Sequence, residues 1–304
     1  MAEHARPLYV QIDIRTSMDR LWDLTQSPEA HQRWDLRFTD IQYLPRPDPN
    51  EPQRFLYATR IGFGIGVRGE GETAGTYEKD GQRSSALRFW SDDAKSLIGT
   101  GSGYWRYIPR DGGVRFITGY DYDVRFGAVG RLCDRVVFRP LMGWATAWSF
   151  DRLRLWIERD IPPEVSMRQS IVHLLARLNV AFIWLWHGLV PKLIFMHPDE
   201  VSPLMAAEFS AESARLQVIA AGWVEIAIGL IVLLWWRARW PLWLTVVLMP
   251  IALVGVALTV PALLQAAFNP VTLNVSMFIL ATIALLTGRD LPSARHCVHE
   301  PGTA

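Results

Sequence analysis

Cysteine is almost missing from this chain of 304 residues, which carries only Cys133 and Cys297, far apart and outside any CxxC pair. That spacing argues against a disulfide framework or a zinc site and leaves a dithiol redox centre without support. Net charge is nearly absent too, at +1, so the overall balance does not draw the chain toward nucleic acid. The opening MAEHARPLYVQIDIR lacks a basic region followed by an apolar core. No secretory signal is read there, and the first half is expected to stay in the cytoplasm. A nucleotide-binding loop is also lacking. Gly64, Gly66 and Gly69 satisfy G-x-G-x-x-G, but the chain continues as the acidic, strand-like EGETAGTYEKDG. A nucleotide site needs a helix there, so a bent or bulged strand is the better reading.

Tryptophan is abundant, at 14 residues. The mean hydropathy of +0.11 averages two unlike halves. Residues 1–165 are polar and strand-like, whereas 170–288 are mostly apolar. A membrane-spanning helix needs about 20 mainly apolar residues. Four segments meet this, at 171–190, 216–236, 242–264 and 271–287. Arg152, Arg154, Arg159 and Arg168 precede the first, Arg237 and Arg239 lie between the second and third, and Arg289 and Arg295 follow the fourth. The positive-inside rule then puts these loops and both termini in the cytoplasm. Trp235, Trp236, Trp240 and Trp243 mark that boundary as an aromatic belt.

Charges inside a span need partners or water. His173, Arg177 and His187 fall on one face of the first span, and Glu225 lies mid-way along the second. Ala221 and Gly229 flank Glu225 and suit a close helix contact. Glu225 is therefore expected to be neutralised by Arg177, His187 or both. Two roles stay open: a buried ion pair that only fixes helix register, or a polar pocket for a headgroup, a quinone or a proton. Pro191–Lys192 reads as the exit of the first span, with Lys192 snorkelling and His197, Asp199 and Glu200 outside. Pro250 and Pro261 interrupt the third span, and Asn269–Pro270 opens the fourth, with Asn274 one turn deep.

The stretches ARLNVAFIWLWHGLVPKLIFMHPDE, GWVEIAIG and FNPVTLNVSMFILA resemble the DoxX-like family of small four-helix membrane proteins, over about 170–288. The resemblance marks Arg177, His187, Lys192, Glu200, Glu225 and Asn274 as positions matching the family pattern, without assigned chemistry. It also implies that some relatives are linked to quinone-coupled sulfur oxidation and others only to the membrane.

In the first half, LYVQIDIR alternates, with Leu8, Val10, Ile12 and Ile14 on one side. Ser17 and Ser27 read as helix caps, the latter with Pro28 at the first helical position. Strands are expected near 40–46, 53–61, 65–78, 84–92, 99–109 and 113–125, with turns at Asp80-Gly81 and Asp111-Gly112-Gly113. A helix follows over 129–158, kinked or split by Pro140. This order, with VQIDIRTSMDRLWDLTQSPEAHQRWD at one end and RFGAVGRLCDRVVFRPLMGWATAWSFDRLRLWIE at the other, resembles the START-like (SRPBCC) superfamily over about 7–160. The resemblance implies a helix-grip α+β domain that binds a hydrophobic small molecule or lipid. Phe116, Tyr120, Tyr122, Trp144 and Trp148 are expected to line its cavity. Arg131, Arg135 and Arg139 repeat every four residues on the helix, as a solvated basic face or as a contact for anionic headgroups.

The expected organisation is a START-like domain at 1–162, a linker at 163–170, a four-helix transmembrane bundle at 171–288 and a cytoplasmic tail at 289–304. The leading functional expectation is a multi-pass protein of the cell membrane that binds or transfers a lipid or other hydrophobic molecule without catalysis. It has no cofactor and no nucleic-acid partner; its expected partners are the bilayer and a hydrophobic small molecule or lipid, such as a quinone, with a homo-oligomer or a redox partner protein left open. The alternative is a quinone-linked redox subunit working with a partner protein. A small START-like enzyme ranks last, because Asp121, Asp123 and Arg106 alternate with aromatics and point outward.

Overall fold

The computed structural model describes residues 6–48, 50–62, 65–267 and 269–301. It divides into two units, Met1–Ser166 with Pro292–Ala304, and Met167–Leu291.

In the first unit the alternating opening becomes β1 (Leu8–Ile14), with Val10, Ile12 and Ile14 buried. Two short helices follow, α1 (Met18–Gln26) and α2 (Pro28–Trp34). Their caps are as expected: Ser17 accepts from the Arg20 N–H and Ser27 from the Ala30 N–H. Six more strands complete an antiparallel sheet: β2 (Asp40–Tyr43), β3 (Arg54–Gly62), β4 (Ile65–Lys79), β5 (Gln82–Trp90), β6 (Ile98–Arg110) and β7 (Gly113–Val124). The order across the sheet is β1-β7-β6-β5-β4-β3-β2. At the β4–β5 turn Asp80 and Gly81 both take positive φ, 52° and 74°, which matches the twist of a two-residue hairpin.

Gly66 and Gly69 of the glycine motif lie within β4, while Gly64 falls outside the described residues. No helix follows, so the strand reading holds. Gly69 is opposite Tyr57, and a Cβ there would meet the Tyr57 ring at 2.3 Å. Phe55 crosses Gly71 and Phe89 crosses Gly101 in the same way. The glycines therefore leave room for aromatic rings from the neighbouring strand.

The long helix runs as α3 (Gly127–Cys133), a π turn (Asp134–Phe138) and α4 (Arg139–Arg159). Pro140 does not break it. Proline offers no N–H, and the ladder widens just before it, where the Arg139 N–H reaches back five residues to the Asp134 carbonyl. The sheet grips α4 in a helix-grip α+β architecture. Val10, Ile12 and Ile14 of β1 meet Phe150, Leu153 and Ile157 of α4, with Trp34, Trp105, Tyr107 and Phe116 between them.

Residues 292–301 do not form a free tail, contrary to expectation. Val298 pairs with Gln11 through two backbone hydrogen bonds of 2.9 Å and covers part of the exposed edge of β1. His296 Nδ1 lies 2.8 Å from the buried Asp151 carboxylate, which also accepts from the Ser293 N–H. Cys297 enters the core, and burial pushes its thiol up. Cys133 is exposed. We therefore expect one maleimide per native chain and two in denaturant, with peptide mapping placing the native label on Cys133. Two labels on the native protein would show that the C-terminal segment is not docked.

The second unit contains four helices long and apolar enough to cross a membrane. The expected linker 163–170 is helical: α5 (Pro163–His187) begins there and continues through a π turn, Gly188–Ile194. After α6 (Pro198–Ala206) come α7 (Ala211–Leu234), α8 (Trp240–Thr259) and α9 (Pro270–Thr287). Pro250 sits inside α8 without ending it, whereas Pro261 follows its end and opens a 3-10 turn. The Asn269 side chain caps α9 by accepting from the Thr272 N–H at 3.1 Å. Ala181, Trp184, Val232, Leu242, Met277 and Ala281 form the bundle core.

Candidate functional site

Pro191 provides no N–H, so an α-helix passing through it must lose a hydrogen bond. Here the chain stays wound as a π turn from Gly188 to Ile194. The Gly188 backbone lies directly against Gly222 of α7. A Cβ on Gly188 would meet the Gly222 oxygen at 2.6 Å, and one on Gly222 would meet the Gly188 oxygen at 2.9 Å. Further along α7, Gly229 lies close to the Ala181 oxygen and Leu185. Small residues thus let the two helices touch. Gly229 was anticipated in this role, but Gly222 takes the place expected of Ala221.

This contact turns Lys192 inward. It is buried, and its Nζ lies 3.1 Å from Glu225 Oε2 and 3.0 Å from Glu200 Oε2. Glu200 stands in the first turn of α6, where His197 caps the helix by accepting from the Asp199 N–H. Two findings correct the expectations here. Lys192 does not snorkel, and Glu225 pairs with Lys192 rather than with Arg177 or His187. The Lys192 ammonium is the one cation at ion-pair distance from Glu225 Oε2 among the described residues. Two carboxylates share one ammonium.

Arg177 is committed elsewhere. Its Nε donates to the Val232 carbonyl at 2.8 Å, and its Nη2 donates to those of Trp235 and Ala238 at 2.8 and 3.1 Å. These carbonyls lie at and just beyond the end of α7, where a cation is favoured. The guanidinium also lies 5.2 Å from the Trp236 ring centre. His173 lies 2.9 Å from the Ala284 carbonyl, near the end of α9. His187 is half-buried, and among the described residues no hydrogen bond or ion pair joins it to Glu225. Asn274 is half-buried on α9 and is likewise apart from the Lys192 cluster. Of the six membrane positions, the structure brings together Lys192, Glu200 and Glu225.

In the first unit, the five aromatics expected to line a cavity do not share one. Phe116 is fully buried and stacked between Tyr107 and Phe150, with centroids 5.0 and 4.4 Å away. The Tyr120 hydroxyl bonds Thr146 at 2.9 Å, and Tyr122 donates to Asp134 at 2.7 Å. Trp148 stacks on Trp144, which is exposed. The alternation predicted their side of the sheet, but Trp34 and Trp105 fill the space they face. A surface hollow of about 370 Å3 is lined instead by Arg20, Asp23, Leu24 and Trp156.

Sequence reasoning missed a buried charge cluster. Asp35 is enclosed and receives Arg37 at 2.6 Å, with His31 Nε2 at 3.0 Å. Burial alone would raise its carboxyl, but Arg37 and His31 hold it well below the usual carboxylate range. The only sequence signal was the run HQRWDLR, with a cation on either side of an Asp. Asp35→Asn leaves Arg37 buried beside an uncharged group, so we expect a loss of about 3–5 kcal/mol near neutral pH. A depressed carboxyl contributes stability above its unfolded value, about 4, and loses it as pH falls further. Thermal melts of wild type and variant should therefore converge between about pH 4 and 2; a constant gap would contradict this account.

The same pattern recurs beside the π turn of the long helix. Arg139 binds Asp134 at 3.0 Å and Asp121 at 3.2 Å and lies over the Tyr122 ring. It therefore does not belong to the exposed basic face with Arg131 and Arg135.

Residues 181–282 match the model of the DoxX-like family. The chain is 48% identical over 185 residues to the uncharacterized membrane protein YndG of Bacillus subtilis (strain 168), covering 60% of this chain and 69% of that protein. Among solved structures it is similar to protein CV1439 from Chromobacterium violaceum, at 14% identity and a TM-score of 0.37, over 50% of this chain and 97% of that one. A protein from Thermus thermophilus, TTHA0849, is similar at 15% identity and a TM-score of 0.33, over 45% of this chain and 86% of that one. By its relationship to the Bacillus protein, the chain belongs to the same family of membrane proteins, and its residues 181–282 are similar to the DoxX-like family.

Proposed function

We propose that this membrane protein binds a hydrophobic small molecule or lipid without transforming it, and that Lys192, Glu200 and Glu225 hold the polar end of that ligand. One observation carries the reading. Two carboxylates share one ammonium, so one negative charge of the cluster has no counter-charge of its own. A ligand hydroxyl or amine would supply a further donor to the carboxylate pair, while the apolar helices around it accept a hydrocarbon body. The arginine-rich loops orient the protein in the cell membrane with its START-like domain and C-terminus in the cytoplasm. The helix-grip fold fits ligand binding.

The same cluster favours a second reading. A quinol offers hydroxyl donors to carboxylates, so the membrane domain would serve as a quinone-linked subunit beside a redox partner protein.

The test is mass spectrometry of lipids that co-purify with the full chain in mild detergent, comparing wild type with Glu225→Gln. We expect one apolar species enriched in wild type and depleted about tenfold in the variant, the loss of one charge-assisted hydrogen bond. Enrichment of a quinone would select the second reading. A lipid profile equal to that of the surrounding membrane in both proteins would overturn the site.

A further inference from the structure

We propose that the outward face of the helix from residue 127 to 144 docks on the interface of an anionic bilayer. Val129, Leu132, Val136, Val137, Leu141 and Trp144 are all exposed there, Val129 at 77%. Such a run of large apolar side chains is not ordinary solvent-facing surface. Arg131 and Arg135 are exposed beside it. The single acidic residue between Phe126 and Trp144 is Asp134, which is buried and held by Tyr122 and Arg139. The segment therefore presents hydrocarbon and positive charge and contributes no exposed carboxylate of its own.

The π turn contributes to this arrangement. It accommodates Asp134 in the interior while leaving Val136 and Val137 exposed together. An amphipathic helix with aliphatic and aromatic residues on one side and arginines beside them has the composition of an interfacial helix. Only Asp160, Ile161 and Pro162 separate α4 from the helix that leads into the first span. The domain is thus permanently tethered at a bilayer, and a weak contact suffices to hold this face against it. A second protein copy would bring the same arginines against one another, which disfavours self-association through this face.

The full chain would be reconstituted in phosphatidylcholine vesicles with and without phosphatidylglycerol. A fluorophore would be placed at residue 136 by Val136→Cys in a Cys133→Ser background, with Tyr77→Cys as the control. Tyr77 is exposed on β4 near the β4–β5 turn. Brominated acyl chains should quench the label at 136 at least threefold more than the control, and more strongly with phosphatidylglycerol present. Arg131→Glu with Arg135→Glu should weaken the docked population about fivefold per arginine. Resistance of Cys297 to maleimide would verify that each variant is folded. Equal quenching at both positions, or iodide access to the label at 136 in both lipid mixtures, would overturn the proposal. Efficient cross-linking of Cys133 between two copies would overturn it in favour of a self-association face.

Discussion

Lys192→Met should destabilise the membrane domain by about 3–5 kcal/mol, as expected when one partner of a buried ionic cluster is removed. Lys192 is held between Glu200 and Glu225 at 3.0 and 3.1 Å. Without it, two partly buried carboxylates face each other with no counter-charge between them. Unfolding of the full chain in detergent, followed by tryptophan fluorescence, would measure the loss. Adding Glu225→Gln should restore a large part of it, because the second substitution removes the charge stranded by the first. Additive losses would show that the two groups do not interact. A single variant as stable as wild type would show that the cluster is fully hydrated and has no special role.

Phe116→Ala should cost the helix-grip unit about 3–5 kcal/mol, the usual range for deleting a buried phenyl ring. Phe116 is inaccessible and is contacted by Trp34, Trp105, Tyr107 and Phe150. The variant also reports on the ligand question. An apolar void left by a phenyl ring stays dry and takes up benzene. Benzene should therefore raise the melting temperature of Phe116→Ala and leave that of wild type unchanged. A comparable rise in wild type would reveal an apolar chamber already present inside the sheet.

The residues that were legible in the sequence are those whose environment repeats with a fixed period. Val10, Ile12 and Ile14 alternate because a strand has two faces, and Ser17 and Ser27 cap helices through contacts made three residues away. The four spans follow from composition and length. Glu225 was also legible as a charge in need of a partner. Its partner was not, because Pro191 normally marks a helix exit, and only the π turn brings Lys192 back inside. Arg177 misled for a different reason. Its acceptors are backbone carbonyls near the end of another helix, which no side-chain pattern records. The interior of the sheet was assigned to the right side by alternation, but whether that space is open depends on Trp34, supplied by α2 from far away in sequence.

The docking of Val298 on β1 and the entry of Cys297 into the core have a consequence for biogenesis. Synthesis runs from the N-terminus, so the ribosome completes all four spans before it releases the last piece of the first domain. Until then that domain exposes the β1 edge and lacks the side chain that fills its core beside Ala147. Its closure therefore follows the synthesis of the helices that lie between Arg159 and Pro292. A truncation lost during membrane insertion would leave an unfinished domain for proteases to remove.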